Sequence, residues 1–146
     1  MNEIDPRYDL SVIIVNYKTP LLIDKCIGSV IKHTSGVNYE IIVVDNFSED
    51  DSEIQISEKY KTVKWISMPA NEGTPRAWNK GIKNSTGNYI LILNSDTEFF
   101  DNAIGMTLLK YRQLELKYKT GLLTCQLKGY DEIIQFNSNI QFPGFR

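Results

Sequence analysis

Two seven-residue runs, LSVIIVN at Leu10–Asn16 and YEIIVVD at Tyr39–Asp45, constrain this chain more than anything else in it. Each is a nearly unbroken series of β-branched residues closed by a polar side chain, the pattern of a strand buried on both faces. Strands of that kind belong to parallel sheets, and a parallel pair needs a crossover helix between its members. The segment between the runs reads as one. Thr19-Pro20 is an N-cap followed by proline at the first helical position. Leu22, Cys26 and Val30, with Ile23, Ile27 and Ile31, then form an apolar face through His33, and Gly36 breaks the helix.

The alternation continues. A polar stretch from Asn46 to Ser52 leads into a short helix over Glu53–Tyr60, and Thr62–Ile66 is a third strand. Thr74-Pro75 repeats the cap-plus-proline start, with Trp78 and Ile82 giving that helix its buried side and Gly87 lying beyond its end. Asn88–Asn94 (NYILILN) is a fourth strand. Asp101 caps a longer helix with a face of Ile104, Leu108, Tyr111 and Leu114 or Leu116. Gly121–Cys125 reads as a fifth strand and Glu132–Phe136 as a sixth, antiparallel or at an edge. The whole is an α/β chain with a mainly parallel sheet covered by helices on both faces. Its 146 residues suit one domain, with no linker or repeat to divide them.

Composition excludes several functions. A net charge of −2 with no basic block leaves no electrostatic footprint for nucleic acid. No apolar run approaches the roughly 18 residues of a membrane span, and the acidic start, Met1–Pro6, is no signal peptide. The single histidine, His33, rules out a zinc site built on several imidazoles and argues against a Ser-His-Asp triad. A bound metal must then be held by oxygens, which means Mg²⁺, Mn²⁺ or Ca²⁺. Cys26 and Cys125 form no C-x-x-C and are expected to be free, buried thiols.

The polar residues fall where such a sheet binds ligands, outside the carboxyl ends of its strands. Asn16, Asp45 and Asn94, with Asp96 just beyond, would share one rim, although a turn or cap would place any one of them there as well. The chain lacks G-x-G-x-x-G after its first strand and has no G-x-x-x-x-G-K-[ST] string, so neither a dinucleotide fingerprint nor a P-loop is available for phosphate. A diphosphate would need a cation, and Asp96 is the economical ligand for it.

Five strings in series carry a resemblance: SVIIVNYKTP, EIIVVDNFSEDDS, MPANEGTPRAWNKGI, LILNSDTEFF and YDEIIQFNSNIQFPG. Together they resemble the inverting glycosyltransferases of family 2, most closely the rhamnosyltransferase-like branch, which has the GT-A (Rossmann-like) fold. The likeness runs through nearly the whole chain in order.

The resemblance implies roles for the matching residues. Val15, Asn16 and Tyr17 would lie against a nucleobase, and Asp45 would accept a hydrogen bond from its imino N–H. Asn71 and Gly73 would line the nucleotide pocket, Arg76 would contact phosphate or sugar, and Asn79 and Gly81 match an N-x-G pattern. Asn94-Ser95-Asp96 occupies the D-x-D position, with Asp96 facing Mn²⁺ or Mg²⁺ and Asn94 standing where the consensus has a first acid. The donor would be a nucleoside-diphosphate sugar and the acceptor a hydroxyl of a glycan or lipid-linked molecule.

The same likeness puts the general base in an acceptor-binding C-terminal half beyond Arg146, so that residues 1–146 would be the nucleotide-sugar-binding part. Asp131 and Glu132, the only acids after Glu115, match a surface turn. An apolar patch where that half packs would be exposed and would favour a homodimer. The branch implies cell-surface polysaccharide assembly at the cytoplasmic side of a membrane, with a peripheral association. A nucleotide-sugar-binding module without turnover, or a structural remnant of the fold, are the alternatives.

Overall fold

The computed structural model describes residues 8–129, 131 and 133–135. The chain divides into two compact units, Met1–Gly105 and Met106–Arg146. The first contains β1 (Tyr8–Asn16), α1 (Pro20–His33), β2 (Tyr39–Asp45), α2 (Ser52–Lys59), β3 (Val63–Ser67), α3 (Thr74–Lys83) and β4 (Gly87–Asn94). A last helix, α4 (Ala103–Lys117), begins in the first unit and runs into the second.

All four strands are parallel, in the order β3-β2-β1-β4. The chain moves outward from β1 through β2 to β3, then returns across the sheet to place β4 on the other side of β1. With right-handed crossovers, that reversal puts α1 and α2 on one face and α3 on the opposite one. Ile13, Ile14, Ile42, Val43 and Val44 are completely buried. Removing each such side chain from water is worth about 1.5–3 kcal/mol, which makes β1 and β2 the stable centre of the sheet.

The buried stripe of α3 differs from the expected Trp78 and Ile82. Ala77 and Gly81 are the buried residues, Trp78 only packs against the cluster of Val15, Ile42, Val44, Met68 and Ala77, and Ile82 is exposed. The cause is distance. A Cβ on Gly81 would lie 2.5 Å from Ile13 Cγ2, so α3 sits too close to β1 for a large residue to face the sheet. Small residues therefore point inward and the bulky ones flank the contact.

Helix starts also depart from expectation. Gly73, with φ of 84°, precedes α3 as its N-cap, and Thr74 is the first helical residue. Asn102, not Asp101, immediately precedes α4, and its side chain is engaged with Ser35, accepting from the backbone N–H at 3.0 Å and donating to the carbonyl at 3.2 Å. Gly87 opens β4, where a Cβ would strike the backbone N of Ser11 at 2.5 Å.

The fifth strand does not form. Among the described residues Gly121–Cys125 carries no strand, and Leu122 is 77% exposed. Its apolar character is real, but it joins no ladder among the described residues, and extended backbone without a hydrogen-bonded partner is not a strand. A single antiparallel bridge joins Lys128 to Ile134; Glu132 and Phe136, the bounds of the expected sixth strand, lie outside the described residues. In the same stretch Cys125 is exposed, against the expectation of two buried thiols, while Cys26 is buried. On α4, Ile104 and Leu108 are buried as the spacing predicts, and of the two candidates for its last turn Leu114 is half-buried while Leu116 is exposed.

Candidate functional site

β1 and β2 pair with Asn16 opposite Asp45, so two polar side chains meet at the carboxyl edge of the most buried strand pair. Asn16 is fully buried and Asp45 nearly so. Groups this deep must find partners, and they find each other: Asn16 Nδ2 donates to Asp45 Oδ1 at 2.8 Å. Because a carboxylate only accepts, this contact fixes which end of the Asn16 amide faces Asp45.

Ser48 completes the group. Its Oγ accepts from Asn16 Nδ2 at 3.2 Å and from the Lys18 backbone N–H at 2.9 Å, and it donates to Asp45 Oδ1 in a short bond. The Ser48 backbone N–H donates to Asp45 Oδ2 at 2.9 Å. One proton given and two accepted exhaust the hydroxyl, whereas Asp45 Oδ2 retains lone-pair capacity for a further donor. Among the described residues, Lys18, Phe47 and Glu49 are the non-glycine residues with positive φ, at 56°, 70° and 56°, and all lie in the two loops that wrap this pair. Backbone strain of this kind concentrates at ligand sites.

The neighbouring loop is tied to the same edge. Asn46 Nδ2 donates to Asn71 Oδ1 at 2.8 Å, and Asn46 Oδ1 accepts the Glu72 backbone N–H at 3.1 Å. Asn71 Oδ1 also accepts the Gly73 N–H at 3.1 Å, which shapes the entry to α3. Arg76, exposed one turn into α3, lies 3.3 Å from Glu72 Oε2. Asn79 is exposed on the same helix.

The third part of the rim follows β4. Between β1 and β4 the strand order reverses, which is where open α/β sheets hold ligands. The segment 94–102 is stitched along α1. The Cys26 thiol donates to the Asn94 carbonyl at 3.7 Å, Ser29 Oγ accepts the Phe99 N–H at 3.1 Å, and the Thr19 and Ser95 hydroxyls lie 3.1 Å apart. This leaves the side chains of Asn94 and Asp96 exposed and Ser95 half-buried. Burial, with the charges of Asp96 and Glu98 nearby, pushes the Cys26 thiol up to about 12.

The structure thus brings Asn16 and Asp45 into one bonded group, joins Asn71 and Gly73 in another, and sets Ser95 and Asp96 at the switch point. Val15 and Asn16 are buried beneath the rim, while Tyr17 is 43% exposed on it. Sequence reasoning missed Ser48, Asn46 and the hydroxyl of Thr19, which had looked like a helix cap. Only the density of Asn, Ser and Asp in 46–52 hinted at the first two.

Residues 11–120 match the family model described as glycosyl transferase family 2. The chain belongs to that family. It is 36% identical over 100 residues to the minor teichoic acid biosynthesis protein GgaB of Bacillus subtilis, covering 66% of this chain and 11% of that one. It is 34% identical over 125 residues to the poly(ribitol-phosphate) beta-glucosyltransferase of Bacillus spizizenii, covering 82% of this chain and 19% of the relative. Among solved structures, TarS of S. aureus in complex with UDP superimposes with a TM-score of 0.59 at 26% identity, over 75% of this chain and 32% of that one. This family 2 chain therefore spans a small part of the length of these relatives. No helix among its described residues is long and apolar enough to cross a membrane.

Proposed function

We propose that this chain is the donor-binding part of a glycosyltransferase that transfers a sugar from a nucleoside-diphosphate sugar to a hydroxyl of a glycan or lipid-linked acceptor, with inversion, in cell-surface polysaccharide assembly. The observation that carries the reading is the buried Asn16–Asp45–Ser48 group beside the 94–96 loop at the reversal of strand order. Relatives named for teichoic acid synthesis and poly(ribitol-phosphate) glucosylation, and the UDP held by TarS, support it.

In this reading Asp45 Oδ2 receives the imino N–H of the base, which suits uracil, thymine or guanine and not cytosine or unprotonated adenine. Tyr17 offers its ring from the rim, Val15 and Asn16 act from beneath, and Asn71 and Gly73 shape the adjoining wall. Arg76, drawn from Glu72, and Asn79 would reach toward phosphate or sugar.

The donor set also bears on a cation. No three His, Cys, Asp or Glu side chains converge as a metal site among the described residues. A fully protein-built cage is thus not available, but Mg²⁺ and Mn²⁺ are commonly held by one or two carboxylates together with substrate phosphates. The exposed Asp96 fits that shared arrangement, with Asn94 and Ser95 as neutral neighbours. When bound, such an ion stabilises the charge that develops on the departing diphosphate. The general base, an acid that takes the acceptor's proton, belongs to the acceptor-binding half; Asp131, which accepts the Ile133 N–H at 3.1 Å, acts as a turn residue.

The reading carries with it work on the cytoplasmic side of a membrane, as a peripheral protein. Ile82 on α3 and Ile90 and Ile92 on the same side of β4 are exposed, and this apolar face would seat a second copy in a homodimer. A monomer by light scattering at high concentration would remove the dimer from the reading.

Calorimetric titration of UDP, dTDP and GDP, with and without Mn²⁺, tests the whole. Metal-dependent binding of one of them, lost in Asp45→Ala and Asp96→Ala, is expected. If none binds, the chain is a structural remnant; if one binds but a version with its acceptor half turns nothing over, it is a binding module.

A further inference from the structure

Thr19 stands at the N-cap of α1 and is followed by proline, the setting in which a threonine hydroxyl ordinarily accepts a backbone N–H of the first turn. It makes no such bond. Its Oγ1 instead lies 2.9 Å from Asn16 Oδ1 and 3.1 Å from Ser95 Oγ. A capping interaction typically worth about 0.5–2 kcal/mol is thereby forgone for a contact between two loops.

The chemistry of the partners gives this contact a direction. Asn16 points Nδ2 at the Asp45 carboxylate, so its Oδ1 must face Thr19 and accept. Thr19 Oγ1 donates toward both Asn16 Oδ1 and Ser95 Oγ, so its single proton is shared between the Asn16 amide and the loop that carries Asp96. The Thr19 hydroxyl thus bridges Ser95 to Asn16, and through Asn16 to Asp45. Bonds in such a network polarise one another, so a change in the hold of Asn16 Oδ1 on the shared proton alters what is left for Ser95.

We propose that Thr19 is a positioning residue that couples occupancy of the Asp45 pocket to the conformation of the loop bearing Asp96. This rests on the donor-site reading above. A base donating to Asp45 competes with Asn16 for carboxylate charge, and the change passes through Thr19 to Ser95. Asn16 is fully buried, so it cannot relax into water in place of passing the change on.

The test is an amide chemical-shift titration of the ¹⁵N-labelled protein with uridine, which has no phosphate and cannot reach the loop through a diphosphate. Wild type is expected to shift at Asn46 and Ser48 and also at Ser95 and Asp96. Thr19→Val should keep the first pair of shifts and lose the second, and Thr19→Ser, which retains the hydroxyl, should restore them. A dispersed spectrum shows that each variant is folded; should Thr19→Val unfold, Ser95→Ala breaks the same chain from its other end and must lose the Asp96 shift. Shifts at Ser95 and Asp96 that persist in Thr19→Val, or that are missing in wild type while Ser48 responds, overturn the coupling and leave the donor site standing. No response at Ser48 to uridine or to UDP overturns the donor site and the coupling together.

Discussion

Asn16 and Asp45 close two adjacent parallel strands and are bonded to each other, Nδ2 to Oδ1 at 2.8 Å, beneath a surface that almost completely covers both. A buried carboxylate is costly unless its oxygens are satisfied, and here an amide, a hydroxyl and a backbone N–H share that work. The group is a structural weld between the β1 and β2 loops, and it leaves one acceptor direction on Asp45 Oδ2, where the proposed reading seats the N–H of a base.

Replacing Asn16 with aspartate tests the weld. The donor becomes a second carboxylate at about the same distance, and two such acids cannot both ionise in a buried site. We expect a loss of about 2–4 kcal/mol at pH 8 by denaturant unfolding, since a buried donor is removed and a charge is left unpaired. The pair's raised protonation in the folded state contributes stability at low pH that is lost as pH rises. The gap between variant and wild type should therefore narrow at pH 5. An equal gap at both pH values would mean the new carboxylate had escaped to solvent.

Gly81→Ala tests why α3 faces the sheet with small residues. Alanine would raise helix propensity by about 1 kcal/mol, but its Cβ would meet Ile13 Cγ2 at 2.5 Å and Val44 Cγ2 at 3.2 Å. Overpacking of this kind costs about 1–3 kcal/mol, so the net change should be destabilising. Gly121→Ala, with nothing within 4 Å, is the control and should fall within about 0.5 kcal/mol of wild type. A stabilised Gly81→Ala would show that α3 can lift from β1 at little cost.

The central strands were legible because their signal is local. Tyr39–Asp45 is bounded in the structure as its β-branched run and its closing aspartate predict, and Pro20–His33 likewise follows from proline at the start and Gly36 past the end. Gly121–Cys125 has the same apolar look, but a strand also needs a neighbour, and that is not written in the segment. The α3 stripe failed for a related reason: periodicity placed Trp78 and Ile82 on one face, yet the distance of closest approach, set by Ile13, decided which face was inward. On the rim, Asp45 closes β2 and Asp96 lies two residues past β4, the places the sequence pattern gives them. Ser48 and Thr19 carry no such mark, because a hydroxyl that caps a helix and one that bridges two loops look alike in sequence.

The two cysteines should separate cleanly by reactivity. Cys125 is exposed, whereas Cys26 is buried with its thiol pushed up to about 12 by burial and by Asp96 and Glu98. A thiol reagent at pH 8 should label one cysteine quickly and the second only on unfolding, as the thiolate is the reacting form. The raised value has a stability consequence. Cys26 contributes fully below its unfolded value near 9, and the contribution is lost as pH rises toward 12, because only the unfolded chain ionises in that window. Cys26→Ala should flatten the loss of stability between pH 9 and 11; an unchanged slope would assign that loss to other groups.

Glu49 carries the last prediction. It is exposed, its φ is 56°, and it sits two residues from Phe47 at 70° in the loop that wraps Asp45. An L-residue in the left-handed region is held there at a cost of about 1–2 kcal/mol, and glycine removes that cost while adding about 0.5–1 kcal/mol of chain entropy to the unfolded state. Glu49→Gly should therefore stabilise the protein by up to about 1 kcal/mol, a rise of roughly 2–4 °C in Tm. The backbone that presents Ser48 to Asp45 is the same in both proteins, so UDP affinity should stay within about twofold if the loop is only strained. A stabilised variant that binds UDP several times more weakly would instead show that the strain holds the Asp45 receptor in its open geometry, and that the chain keeps Glu49 in a poor conformation for the sake of its ligand.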